Sequence, residues 1–138
     1  MKKDILGVRF DDVSRQEAAQ RGAELLEENQ FHYVVTPNPE FLRTAKVDEA
    51  FRQALNQDQF HYVVTPNPEF ILAAEKDADF RQVLNSADLV IPDGIGVVYS
   101  AKILGTPLKE RVPGIEFAAD MLAKLDQMGG RLYLLGAK

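Results

Sequence analysis

The stretch "PDGIG" (Pro92–Gly96) puts a carboxylate at the end of an apolar run, with two glycines directly behind it. A carboxylate in that position can take a proton from a hydroxyl nucleophile. Gly94 and Gly96 let the backbone come close to whatever lies at the turn. The competing reading makes Asp93 the N-cap of a helix that begins near Gly94. One carboxylate cannot cap a helix and stay free as a base. Upstream, "TPNPE" (Thr65–Glu69) closes a β-rich run with a hydroxyl, an amide and two prolines. Asn67, Pro68 and Glu69 make a good helix start: a side-chain cap, a preset φ and an acid at the positive helix end. The alternative is that Thr65 and Asn67 stand at the carboxyl edge of a parallel sheet, where open α/β folds bind ligands. "PLKERVPG" (Pro107–Gly114) holds Lys109 and Arg111 in a proline-bounded loop. Such a loop can aim a guanidinium at a carboxylate or phosphate, or leave it solvated.

Other chemistries fit less well. The dinucleotide fingerprint G-x-G-x-x-G would need glycine where Tyr99 stands, which argues against a nicotinamide oxidoreductase. "DAD" (Asp77–Asp79) has the spacing of a metal-diphosphate motif, but an acid at a helix N-terminus is the simpler reading. His32 and His61 each sit second in a β-rich run and read as strand residues rather than ligands. The sequence contains no cysteine, so thiolate chemistry and disulfides are excluded.

The elements that must position these residues alternate. "ILGVRF" (Ile5–Phe10) reads as a strand. Ser14 and Glu17 form a capping box for a helix with Ala18, Gly22, Leu25 and Leu26 on one face and Ala19 beside them. "FHYVVT" (Phe31–Thr36) is a strand followed by a proline turn. "DLVIP" (Asp88–Pro92) has the unbroken apolar run of a strand buried on both faces. "GIGVVYSAKIL" and "PGIEFAADMLAKLDQM" read as helices, the second with Ile115, Ala118, Ala119, Leu122 and Leu125 inward and stopped by Gly129 and Gly130. "RLYLLG" (Arg131–Gly136) is a last strand. This order predicts a doubly wound, mostly parallel α/β sheet.

"QFHYVVTPNPEF" occurs twice, at Gln30–Phe41 and Gln59–Phe70, and weaker likeness continues through the next helix-like stretch. The offset is 29 residues, about the length of a strand with its crossover helix. Residues 30–58 and 59–87 therefore read as tandem copies of one βα unit within a single domain, 1–138.

The chain has 138 residues, 46% of them apolar and 27% charged, as in a globular domain. Its net charge of −5 is concentrated before residue 93, and no basic stripe supports nucleic-acid binding. A start as interrupted as "MKKDILGVRFDD" does not read as a signal peptide, which fits a cytoplasmic location.

"VVTPNPEF", "LNSADLVIPDGIGVVYSAKILGTPLKERVPG" and "RLYLLGAK", in this order and spacing, resemble the WecB/TagA/CpsF family of bacterial glycosyltransferases. The resemblance implies a Rossmann-like enzyme that moves an N-acetylmannosamine-type sugar from a UDP donor. The implied acceptor is N-acetylglucosamine on a polyprenyl diphosphate, used for teichoic acid or surface polysaccharide. Transfer would invert C1 and need neither a metal nor another cofactor. By the same resemblance, Asp93 is the base and Thr65 a second catalytic residue. Asn67, Arg111, Gly94 and Gly96 contact substrate. Thr36 and Asn38 are the duplicate candidates, but the second copy has the family's distance to Asp93 and is favoured. The family continues beyond "LLGAK" into a donor loop and a segment that meets the inner face of the membrane, so little or no activity is expected of this chain alone. An edge strand left unpaired would favour self-association into a homo-oligomer. The rival reading is a non-catalytic α/β domain, natural or engineered, carrying a segment duplication.

Overall fold

A computed structural model describes residues 1–28, 32–34 and 61–131. The chain opens with an antiparallel hairpin of β1 (Lys2–Ile5) and β2 (Val8–Asp11). The single strand expected over Ile5–Phe10 is broken: Leu6 and Gly7 turn the chain with φ of 52° and 86°. Two successive positive φ values make the primed turn whose twist suits a hairpin. Leucine at the first position hides that turn from a sequence reading.

Helix α1 (Arg15–Glu27) starts at the expected capping box. Ser14 Oγ accepts the Glu17 N–H at 3.2 Å, and Glu17 Oε2 accepts the Ser14 N–H at 2.7 Å. Its predicted inner face holds, with Ala18 and Gly22 buried and Ala19, Leu25 and Leu26 packed alongside.

β3 (His32–Val34), β4 (His61–Val64) and β5 (Leu89–Val90) form a parallel sheet in the order β3-β4-β5. The strands of the two repeat copies lie side by side, like on like, with Tyr33 opposite Tyr62. The second copy's strand is central and pairs with β5, Val64 opposite Val90.

The crossover from β4 to β5 consists of two helices, α2 (Pro68–Lys76) and α3 (Ala78–Asn85). The break falls at Asp77, whose Oδ1 accepts the N–H groups of Asp79 and Phe80 at 3.1 and 3.0 Å. The "DAD" triplet thus starts a helix. Tyr62 ties α3 to the sheet by donating its O–H to the Val83 carbonyl at 2.6 Å, and burial pushes its phenol up to about 12. α4 (Ile95–Ile103) and α5 (Gly114–Gln127) complete the described elements. Arg131 is not in a strand, and the rest of "RLYLLG" lies outside the described residues, as do Thr36, Asn38 and the first copy's helix.

Side chains alternate along the central strands and divide the core in two. Tyr62, Val64 and Val90 face a cluster with Phe70, Phe80, Leu84, Val97 and Ala101, from α2, α3 and α4. Val63, Leu89 and Ile91 face a second cluster with Ala18, Phe117 and Met121, from α1 and α5. The architecture is mixed α/β, with one parallel sheet and apolar side chains covering both of its faces.

The expected inner face of α5 is corrected. Gly114, Phe117 and Met121 point inward, while Ile115 and Leu122 are 82% and 45% exposed. The helix carries two apolar stripes, and the one holding the aromatic ring is buried.

Asp11 joins the hairpin to the sheet. It is only 3% exposed, accepts the Val90 N–H at 2.9 Å and lies 3.5 Å from Lys2 Nζ. A side chain thereby satisfies a backbone donor that no strand among the described residues reaches.

Candidate active site

The pairing of β4 with β5 continues past the ends of both strands. Ile91 N–H donates to the Val64 carbonyl at 3.0 Å, and Asp93 N–H donates to the Pro66 carbonyl at 3.2 Å. Thr65 and Asp93 are therefore carried onto adjacent stretches of backbone at the carboxyl edge of the sheet. The loop before α5 closes the third side, since Val112 N–H donates to the Pro92 carbonyl at 3.0 Å.

Gly114 marks where these pieces meet. A Cβ built there would stand 3.1 Å from Thr65 Oγ1 and 3.3 Å from Asp93 Oδ2. The hydroxyl and the carboxylate thus converge on one point beside the first residue of α5. Thr65 is 6% exposed, and its hydroxyl has no hydrogen-bond partner among the described residues. A buried hydroxyl left without a protein partner is costly unless water or a ligand satisfies it.

Asp93 does not cap α4. Gly94 occupies the cap position with φ of 110°, and no side chain hydrogen-bonds the helix start. That conformation favours glycine, and it frees the carboxylate. Gly96 has a packing reason for its lack of a side chain, because a Cβ there would come within 2.8 Å of Pro68 Cγ. The start of α5 is likewise without a side-chain cap. Two helix N-termini without a side-chain cap among the described residues therefore open beside Asp93, and such ends attract anions.

Asn67 is the helix cap that the sequence offers. Its Oδ1 caps α2 by accepting the Phe70 N–H at 3.1 Å. Its amide N–H group donates to no described residue.

The three charges of the loop at residues 109–111 divide sharply. Lys109 Nζ holds Glu17 at 2.8 and 2.9 Å, and its backbone N–H donates to Asp12 at 2.8 Å. Glu110 accepts the Arg15 N–H. Arg111 remains exposed with no partner among the described residues. Lys109 and Glu110 pin the loop to the start of α1 and leave Arg111 unpaired among the described residues.

The Lys109 ammonium and the Ser14 N–H lower the Glu17 carboxyl from 4.5 to about 2. A depressed folded-state value means that the ionised form stabilises the fold. This contribution is complete above the ordinary glutamate range and fades as pH falls from there through about 2. Acid titration followed by circular dichroism is expected to show Glu17→Gln losing less stability than the parent over that window. Equal losses would mean that the pin is unimportant.

His61 sits between carboxylates, with Nδ1 2.8 Å from Asp88 and Nε2 3.0 Å from Glu28. The sequence placed no acid beside it; the fold supplies both. Gly114 is the site residue that sequence reasoning missed. Its only signal was a glycine directly after Pro113, at the entry to a helix.

The glycosyl transferase WecG/TagA/CpsF family model matches residues 3–60 and 54–138, and each match contains one copy of the repeat. The chain belongs to this family. A Staphylococcus aureus (strain NCTC 8325 / PS 47) relative, N-acetylglucosaminyldiphosphoundecaprenol N-acetyl-beta-D-mannosaminyltransferase, is 34% identical over 99% of this chain. A Bacillus spizizenii protein with the same description is 44% identical over 52 residues, 38% of this chain and 20% of its own length. The chain spans 43% of the S. aureus relative. Within the second of these matches, Thr65–Asn67 and Pro92–Gly94 lie side by side, and both adjoin Pro113–Gly114 at the start of α5. No helix among the described residues is long and apolar enough to cross a membrane.

Proposed function

We propose that the cleft between Thr65, Asp93 and Gly114 is a sugar-transfer site. It would move an N-acetylmannosamine-type sugar from a UDP donor to N-acetylglucosamine on a polyprenyl diphosphate. The convergence of Thr65 Oγ1 and Asp93 Oδ2 beside Gly114 carries this reading, together with the activity named for the S. aureus relative. In the proposed reaction, Asp93 takes the proton of an acceptor hydroxyl whose oxygen attacks C1 of the donor sugar. The bond from C1 to the UDP oxygen breaks, UDP leaves, and C1 is inverted. Thr65 and the Asn67 amide hold sugar polar groups. The uncapped starts of α4 and α5, with Arg111, stabilise the departing diphosphate. In this reading the parallel sheet belongs to a doubly wound, Rossmann-like domain, and the protein works at the cytoplasmic face of the membrane, where its acceptor is held.

Calorimetric titration with UDP-N-acetylmannosamine tests the site and decides between the copies. The parent chain is expected to give saturable heat. Thr65→Ala, which would deprive the bound sugar of one hydrogen bond worth about 1–1.5 kcal/mol, should weaken binding about tenfold. Thr36→Ala should leave it unchanged. The reverse pattern would put the first copy in the pocket, and no heat from the parent would favour a non-catalytic domain.

A further inference from the structure

Helix α4 has two opposite apolar faces. Val97 and Ala101 are fully buried in the core, as expected of an inner face. Ile95, Tyr99 and Ile103 are 55%, 61% and 85% exposed. Their spacing of four residues aligns them in one stripe on the outside of the helix. The outer face of a surface helix is ordinarily polar, yet here each turn of it carries a large apolar side chain.

The stripe begins at the candidate site. Ile95 follows Asp93 by two residues, and Ile103 lies about 12 Å farther along the helix axis. Ile115 directly follows Gly114 and is 82% exposed, so a second apolar side chain adjoins the site from α5.

We propose that the outer face of α4, from Ile95 through Tyr99 to Ile103, receives the polyprenyl chain of the acceptor, a placement that rests on the acceptor chemistry proposed above. An acceptor sugar whose hydroxyl meets Asp93 must bring its diphosphate and then its hydrocarbon chain out of the same opening. That chain is poorly solvated, and it gains by lying along apolar surface rather than in water. The stripe supplies such a surface where the chain emerges. Aliphatic and aromatic side chains suit the branched methyl groups of an isoprenoid, which need close contact but no directional bonds.

The test compares two acceptors bound to the 138-residue chain in detergent micelles. Both carry N-acetylglucosamine on a diphosphate, one with a long polyprenyl chain and one with a short water-soluble alkyl chain. The parent chain should bind the long acceptor at least about tenfold more tightly, as the burial of a few methylenes requires. Tyr99→Glu and Ile103→Glu should each remove most of that preference and leave short-acceptor affinity unchanged. Both side chains are exposed, and unchanged thermal melts would show that both variants fold.

Persistence of the long-chain preference in both variants, with Thr65→Ala still weakening both acceptors, would overturn the α4 assignment and keep the sugar site. Failure of the parent to bind either acceptor would remove both proposals. Two further results would also reassign the face. One is parent binding to acceptor-free phosphatidylglycerol vesicles that the variants abolish, which indicates bilayer docking. The other is dissociation of a parent dimer by Ile103→Glu with long-chain affinity unchanged, which indicates self-association.

Discussion

Replacing Gly114 with valine (Gly114→Val) is expected to weaken binding of the proposed UDP-sugar donor about ten- to hundredfold while the chain stays folded. The added Cβ would occupy the point that lies 3.1 Å from Thr65 Oγ1 and 3.3 Å from Asp93 Oδ2. Any sugar atom held between those two oxygens would have to move, and overfilling of this kind costs about 1–3 kcal/mol. The substitution does not strain the backbone, because Gly114 is outside the left-handed region and opens a helix. Gly114→Ala should give a smaller loss in the same direction. Calorimetry measures both losses, and circular dichroism checks the fold. Unchanged affinity in Gly114→Val would mean that the donor sugar does not lie between Thr65 and Asp93.

The largest loss of stability is expected from Phe117→Ala. Phe117 is fully buried in the cluster that joins α5 to α1 and to the second face of the sheet. Its ring reaches α1 because Gly22 leaves room: a Cβ at Gly22 would stand 2.9 Å from Phe117 Cζ. Removing a buried ring costs about 3–5 kcal/mol in lost transfer energy and residual cavity. That is a large share of the roughly 5–15 kcal/mol typical of a domain. Urea unfolding should show a markedly lower midpoint with little change in slope. A shift below about 1 kcal/mol would show that the α1–α5 contact is marginal to the fold.

Much of the site's scaffold was legible in local sequence, because local chemistry decides it. Ser14 and Glu17 specify a helix start, as do Asn67 and Pro68, through hydrogen bonds and a fixed φ that involve only neighbouring residues. The run from Leu89 to Ile91 is apolar at every position because both faces of its strand are covered, and all three residues are fully buried.

The misreadings came where distant contacts decide. Nothing local to Ile115 shows that the stripe containing Phe117 and Met121 will be the one buried; that depends on Gly22 admitting the ring from another helix. Leu6 adopts positive φ because the hairpin imposes it, against its own preference. Lys109 and Arg111 looked equivalent in the loop, and only the partners supplied by Glu17 and Asp12 distinguish the anchoring lysine from the arginine, which has none among the described residues. The competition at Asp93 was also beyond local reading. It is resolved by Gly94 taking the cap position in a conformation that glycine alone readily adopts.

Titration of the 15N-labelled chain with UDP-N-acetylmannosamine, followed by amide NMR, tests the shared cleft most directly. Saturable shifts are predicted at Thr65, Gly94, Gly96 and Gly114, with Gly22 on the α1–α5 contact unmoved. Saturable shifts confined to other surfaces, with those four amides silent, would contradict a sugar site between the second repeat and Asp93.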